Sequence, residues 1–169
     1  AAGQTNFKVF PSPSAGRNIV VPVLFISPPT RDNLGAVGFD MYSEAVRRQA
    51  MDAATAQRRP IASGKVHLVQ DSRRSNPSGF LIYRPVFSRA GAGANRGGAI
   101  RGFVYSPFRA SEFLDSAAEL VGDQQMEIAI YDEAPRPDRL LAVRAFPGES
   151  GMSLDRPIIV ASRHWVLRV

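Results

Sequence analysis

The sequence predicts an α+β fold, and three observations carry that expectation. Two helix-period patterns, over residues 43–59 and 108–122, each stand between runs of strand-like residues. The strand runs come in neighbouring sets joined by turn-rich segments. That favours antiparallel hairpins over the strand–helix alternation of a doubly wound parallel sheet. At 169 residues, with 44% hydrophobic and 21% charged, the chain has the composition of a folded domain or of two small lobes sharing a core.

The elements follow in order. Residues 1–18 are polar and turn-rich, with one short strand expected at 7–10. Residues 19–26 (Ile19, Val20, Val21, Val23, Leu24, Phe25, Ile26) leave no polar face and predict a buried strand, closed by Pro28 and Pro29. The segment from Asn33 to Asp40 holds Gly35 and Gly38 and reads as a compact turn. Ser43 fits the N-cap of the first helix, because its hydroxyl can accept an orphan amide of the first turn. Val46, Ala50, Ala53, Ala54 and Gln57 form one stripe of that helix, with Arg47, Met51 and Arg58 beside it. Pro60 ends it.

Three strands are expected next, at 65–69, 80–87 and 99–105. The last two form a hairpin around a glycine- and alanine-rich tip at 88–98. The second helix buries Phe113, Leu114, Ala117, Leu120 and Val121, with Gly122 suited to the position after its last turn. Strands at 126–132, 140–146 and 158–169 complete the chain. The last is read as one long strand with Ile159, Ala161, Trp165, Leu167 and Val169 on a single face.

Chemistry is excluded more readily than assigned. There is no cysteine, so thiolate metal sites, disulfides and cysteine nucleophiles are all absent. His67 and His164 are the only histidines, and no metal-binding spacing contains them. No serine lies in a nucleophile elbow. The Gly91–Gly98 stretch has the wrong spacing for a dinucleotide loop and leads into a strand, where a phosphate cradle needs a helix N-terminus. Asp40 and Glu44 flank the first helix start, where carboxylates favour the dipole. The net charge is +6, and of the basic residues only Lys8 and Lys65 are lysine. The arginines are scattered in pairs, without the clustered, aromatic-flanked pattern of a nucleic-acid surface. No apolar run reaches the roughly 20 residues of a membrane span, and no signal-peptide pattern opens the chain. The expectation is a binding or sensory module without catalytic residues, cofactor or metal. It is either cytosolic or an excised soluble piece of a larger protein.

Five segments then sharpen this reading. Asn33-Leu34-Gly35-Ala36-Val37-Gly38-Phe39-Asp40-Met41 resembles the N-x-x-A-x-G-F-D-hydrophobic segment of the CHASE domain, the sensor of bacterial and plant receptor kinases and cyclases. Arg47-Arg48-Gln49-Ala50-Met51 is similar to the family's R-R-x-A-hydrophobic helix. Gly79 to Phe87 resembles its strand ending in P-V-aromatic. Arg101-Gly102-Phe103-Val104 resembles its R-G-aromatic-V strand, and Met126 to Asp132 its strand ending in Y-D. The resemblance covers about residues 19 to 145.

The resemblance implies two PAS-like lobes joined by a connecting helix. Residues 1–108 would form a membrane-distal ligand-binding lobe, 109–122 the connector, and 123–169 a membrane-proximal lobe that leans on its neighbour. It implies a periplasmic small-molecule sensor of a bacterial transmembrane receptor, either a histidine kinase or a diguanylate cyclase. The full receptor would be a homodimer through a stalk helix, flanked by transmembrane helices. Ligand-binding positions carried across are Met41, Arg47, Ser63, Val69, Tyr83, Phe103 and Ser106. Plant members bind adenine-type cytokinins through an acidic residue where this chain has Arg47. The reversed charge points to an anionic ligand, since a guanidinium fork meets carboxylate or phosphate oxygens in pairs. The rival expectation is a structural or interaction domain of the same receptors that binds no ligand.

Overall fold

The computed structural model describes residues 7–13, 18–69, 78–89, 98–121, 126–147 and 151–169. The helices are α1 (Arg31–Leu34), α2 (Ala45–Gln57) and α3 (Ala110–Val121). The strands are β1 (Ile61–Ala62), β2 (Val66–His67), β3 (Ser78–Phe87), β4 (Ile100–Arg109), β5 (Ile128–Asp132), β6 (Leu140–Arg144), β7 (Asp155–Val160) and β8 (Arg163–Arg168). They form two antiparallel four-stranded sheets, so the chain is α+β. In the first, β3 is central. β4 pairs along one edge, and β1 and β2 lie end to end along the other. The second has the order β6-β5-β8-β7.

Strand β3 divides the molecule. Its alternate residues Leu81 and Tyr83 face a core built with Met41, Ala50, Met51, Ala54 and Val23. Phe80 and Ile82 face the other way, into a core built with α3 and the second sheet. Phe80 stands at the centre of that second core. Its ring stacks on Phe108 at 5.0 Å and meets the edges of Trp165 at 4.7 Å and Phe113 at 5.4 Å. The second core thus joins the two sheets, and α3 fills it with Ala110 and Leu114.

Several expectations are corrected. Residues 19–26 form no ladder strand: Pro22 makes an isolated bridge to Asp40, and Leu24 and Phe25 are exposed. Only one edge of this segment is paired, and Pro22 has no N–H to give. Helix α2 starts later than expected, because Glu44, not Ser43, caps it by accepting from the amides of Val46 and Arg47. It ends at Gln57, with Arg58 in the left-handed region. Its buried stripe is Arg47, Ala50, Met51 and Ala54, one position round from the stripe expected. Val69 lies beyond β2, and β1 was not anticipated. Strand β4 runs on to Arg109, which delays α3. The long C-terminal strand is a hairpin whose turn residues, Ala161 and Ser162, both have positive φ. Such turns favour glycine or asparagine, so this one carries no sequence signal. The hairpin tip at 90–97 and Gly122 lie outside the described residues.

The shared interior sets an expected outcome. Phe80→Ala removes the ring on which Phe108, Phe113 and Trp165 all pack, and it should destabilise the domain by about 3–5 kcal/mol in urea unfolding. A single transition should persist, because β3 carries residues of both cores.

Candidate functional site

The conspicuous turn at residues 33–41 is the hub that shapes a groove. The Asn33 side-chain amide donates to the Pro28 carbonyl at 2.8 Å. Gly38 has φ +90°, and a Cβ there would run into the Lys8 carbonyl oxygen, so glycine is required on two counts. The buried carboxylate of Asp40 accepts from the amides of Val21 (2.8 Å) and Tyr42 (3.0 Å) through Oδ1. Backbone bonds Val23 N to Phe39 O and Met41 N to Val21 O complete the attachment. Together these hold residues 21–27 as a free-standing wall.

Opposite that wall runs β4. Between them lies a groove of about 740 Å³. Its wall is Val21 to Ser27, its floor is Met41, Met51 and Tyr83, and its far side is Arg101 to Tyr105 with Pro107. The pairings Tyr83↔Tyr105, Pro85↔Phe103 and Leu81↔Pro107 put these side chains on one face of the sheet. Tyr83 is fully buried, and its hydroxyl donates to the Met41 sulfur at 3.7 Å. Burial pushes its phenol well above the ordinary value, with the nearby Arg47 charge pulling against it. Tyr105 is raised for the same reason, and its buried hydroxyl has no hydrogen-bond partner.

The expected ligand positions separate accordingly. Met41, Tyr83 and Phe103 meet in the groove. Arg47 stands behind the floor, 4% exposed, and its Nη2 donates to the His67 carbonyl at 2.6 Å. Its guanidinium lies over the Phe39 ring at 5.1 Å, and Nη1 is 3.8 Å from Glu44. Ser63 is buried in the sheet, accepting from the Leu81 amide and donating to the Gly64 carbonyl. Val69 does not line the groove. Ser106 pairs with Ile82, which places it on the opposite face of β4, exposed. Sequence reasoning missed Met51, Tyr105, Arg101 and the whole wall. Met51 was visible only as the residue one helical turn beyond Arg47.

A second cleft, of about 520 Å³, lies where the two sheets meet. Asp132 at the end of β5 is buried there, bidentate with Arg163 at 2.5 and 3.0 Å. It also accepts from the Lys65 amide at 3.3 Å, across the junction. Arg163 and Arg139 both reach Glu133, at 3.0 and 3.5 Å. A Cβ on Gly64 would lie 3.0 Å from both the Arg163 guanidinium and the Asp132 carboxylate, so a bare backbone lets the halves approach. Among the described residues, no group of three His, Asp or Glu could hold a metal ion.

Two outcomes are expected. Asp132→Asn leaves Arg163 half-paired in a buried junction and should cost about 3 kcal/mol in urea unfolding. The raised phenols set an alkaline limit. The unfolded chain ionises Tyr83 and Tyr105 near pH 10, and the folded chain does not. Stability should therefore be intact below about pH 10 and fall as pH rises beyond it. Tyr83→Phe should flatten that fall, measured by urea midpoints across the alkaline range.

The chain matches the family model of the CHASE domain over residues 1–142, a span that ends inside β6. No curated protein matches it. Among the described residues no helix is long and apolar enough to cross a membrane. The match covers most of the chain, with the 33–41 hub inside it. This protein belongs to the CHASE family, the extracytoplasmic sensory domains of membrane receptors.

Proposed function

We propose that this domain is the periplasmic sensing module of a bacterial transmembrane receptor, either a histidine kinase or a diguanylate cyclase, and that it binds a small molecule in the groove beside β4. The observation that carries the reading is the open groove itself. A spacer would have filled that space with its own side chains. Here Met41, Tyr83 and Phe103 leave it free. A concave, largely apolar cavity of this size with few polar groups is the ordinary form of a small-molecule site.

In this reading residues 1–108 are the PAS-like distal lobe, 109–122 the connector and 123–169 the proximal lobe. The full receptor signals as a homodimer through a stalk helix between transmembrane spans. The domain performs no chemistry. Its ligand biases two arrangements of the lobes, and it can do so only through unequal affinity for them. A contiguous set of contacts supports the coupling. Tyr83 on the groove floor adjoins Arg47, and Arg47 holds the His67 carbonyl. Two residues back, the Lys65 amide is held by Asp132 of the second sheet. Arg47 is then a positioning residue behind the floor, and Met41, Tyr83 and Phe103 touch the ligand.

A thermal-shift screen of the purified domain tests this. A ligand at about 100 times its Kd adds about 2.7 kcal/mol, a rise of several degrees for a chain of this length. The shift should vanish in Phe103→Ala, which keeps the hub and removes only a partly buried ring from the edge of the first core. Absence of any shift across small carboxylates, phosphates, purines and apolar compounds would favour the spacer instead.

A further inference from the structure

The groove has one charged end, at a bulge in the strand that carries it. At the register shift beside Val86 and Phe87, Arg101 is the extra residue of β4: Gly102 pairs with Val86 and Ile100 with Phe87. Arg101 lines the groove beyond Phe103 and Tyr105, at the bulged end of the strand. Among the described residues it is the only charged one that does so, and no carboxylate lines the groove. From Arg101 the far side runs through Phe103 to Tyr105, four residues or about 13 Å of strand. Facing it are Val21, Val23, Leu24, Phe25 and Ile26, with Met41 and Met51 beneath. Phe25 is 85% exposed and Val104 62%, so the lip presents bare apolar surface to water.

We propose that the groove takes an elongated amphiphilic monoanion, a carboxylate on an alkyl chain, with its head on Arg101 and its tail along Phe103 and Tyr105. This deepens the sensing reading and rests on it. The polar inventory argues for the class. A purine or another polar heterocycle needs several hydrogen-bond partners once buried. Of the lining side chains, the Tyr83 hydroxyl is engaged with Met41 and the Asn33 amide with Pro28; the buried Tyr105 hydroxyl is unengaged among the described residues, and one such group beside Arg101 falls short of what such a ring needs. Arg47 is sealed behind the floor and bonded to His67, so the anion meets Arg101. An alkyl tail asks for no partner, and the unbranched thioethers of Met41 and Met51 adapt to its shape.

Isothermal titration of the domain with decanoate, 1-decanol and decyltrimethylammonium, each below its micelle-forming concentration, tests the assignment. Decanoate should bind tightest and the ammonium weakest, and the decanoate affinity should fall with salt. Arg101→Glu and Leu24→Glu are exposed positions on facing sides of the groove. Arg101→Glu should weaken decanoate about fivefold or more and leave decanol unchanged. Leu24→Glu should weaken decanoate as well, by placing an anion on the opposite wall. Equal affinity for the three probes, or decanoate binding indifferent to Arg101→Glu, overturns the anionic head. If decanoate fails to bind while another compound gives a thermal shift lost in Phe103→Ala, the amphiphile class is overturned and the sensing reading stands. If nothing binds, both fall.

Discussion

Strand β3 is buried on both faces, and that constraint organises the domain. Leu81 and Tyr83 belong to one core and Phe80 and Ile82 to the other. A strand in that position cannot shift register by one residue without exchanging the two sets of side chains. Pairing with β4 over almost its whole length therefore locks both interiors at once. The second sheet contributes Ile130, Leu141, Ala142 and Trp165 to its core and completes it on Phe80 and α3. The second sheet's core therefore includes residues of β3, while the first sheet keeps a core of its own on the strand's other face.

The polar contacts add direction to that coupling. Buried charge is tolerated here only where it is heavily bonded. Asp132 takes two bonds from Arg163 and one from the Lys65 amide, and Asp40 ties the groove wall at the Val21 amide to the turn at the Tyr42 amide. Both carboxylates join segments far apart in sequence. Such groups contribute little net stability against a well-packed apolar alternative, but they fix one geometry among several. The groove wall uses this device together with packing. Val23 is buried in the first core, Leu24 and Phe25 stand largely in water, and Asp40 with the 38–41 backbone holds one edge of the segment. A wall held along one edge can move when something fills the space beside it.

The resemblance read from the five segments named the family that the match over residues 1–142 establishes. What the motif residues do was another matter. Asn33, Gly38 and Asp40 form the scaffold of the groove, and of the three only Asn33 lines it. Arg47 was legible as a charge on the first helix. Its burial over Phe39, with its guanidinium on a backbone carbonyl, was not.

Hydrophobic period and turn chemistry by themselves determined the α+β class, both long helices and the β3–β4 hairpin, because each signal is local and strong. They misread the C-terminal hairpin, whose turn uses alanine and serine at positive φ and leaves no mark in composition. They also misread residues 19–26, where an apolar run ordinarily signals burial but the tertiary structure uses it as an exposed wall. Which residues meet in the groove, and that Ser106 turns away from it, were decided by register, and register depends on partners distant in the chain. The ion cluster around Asp132 is tertiary in the same sense. Charges spaced along a sequence carry no information about which of them will be taken out of water together.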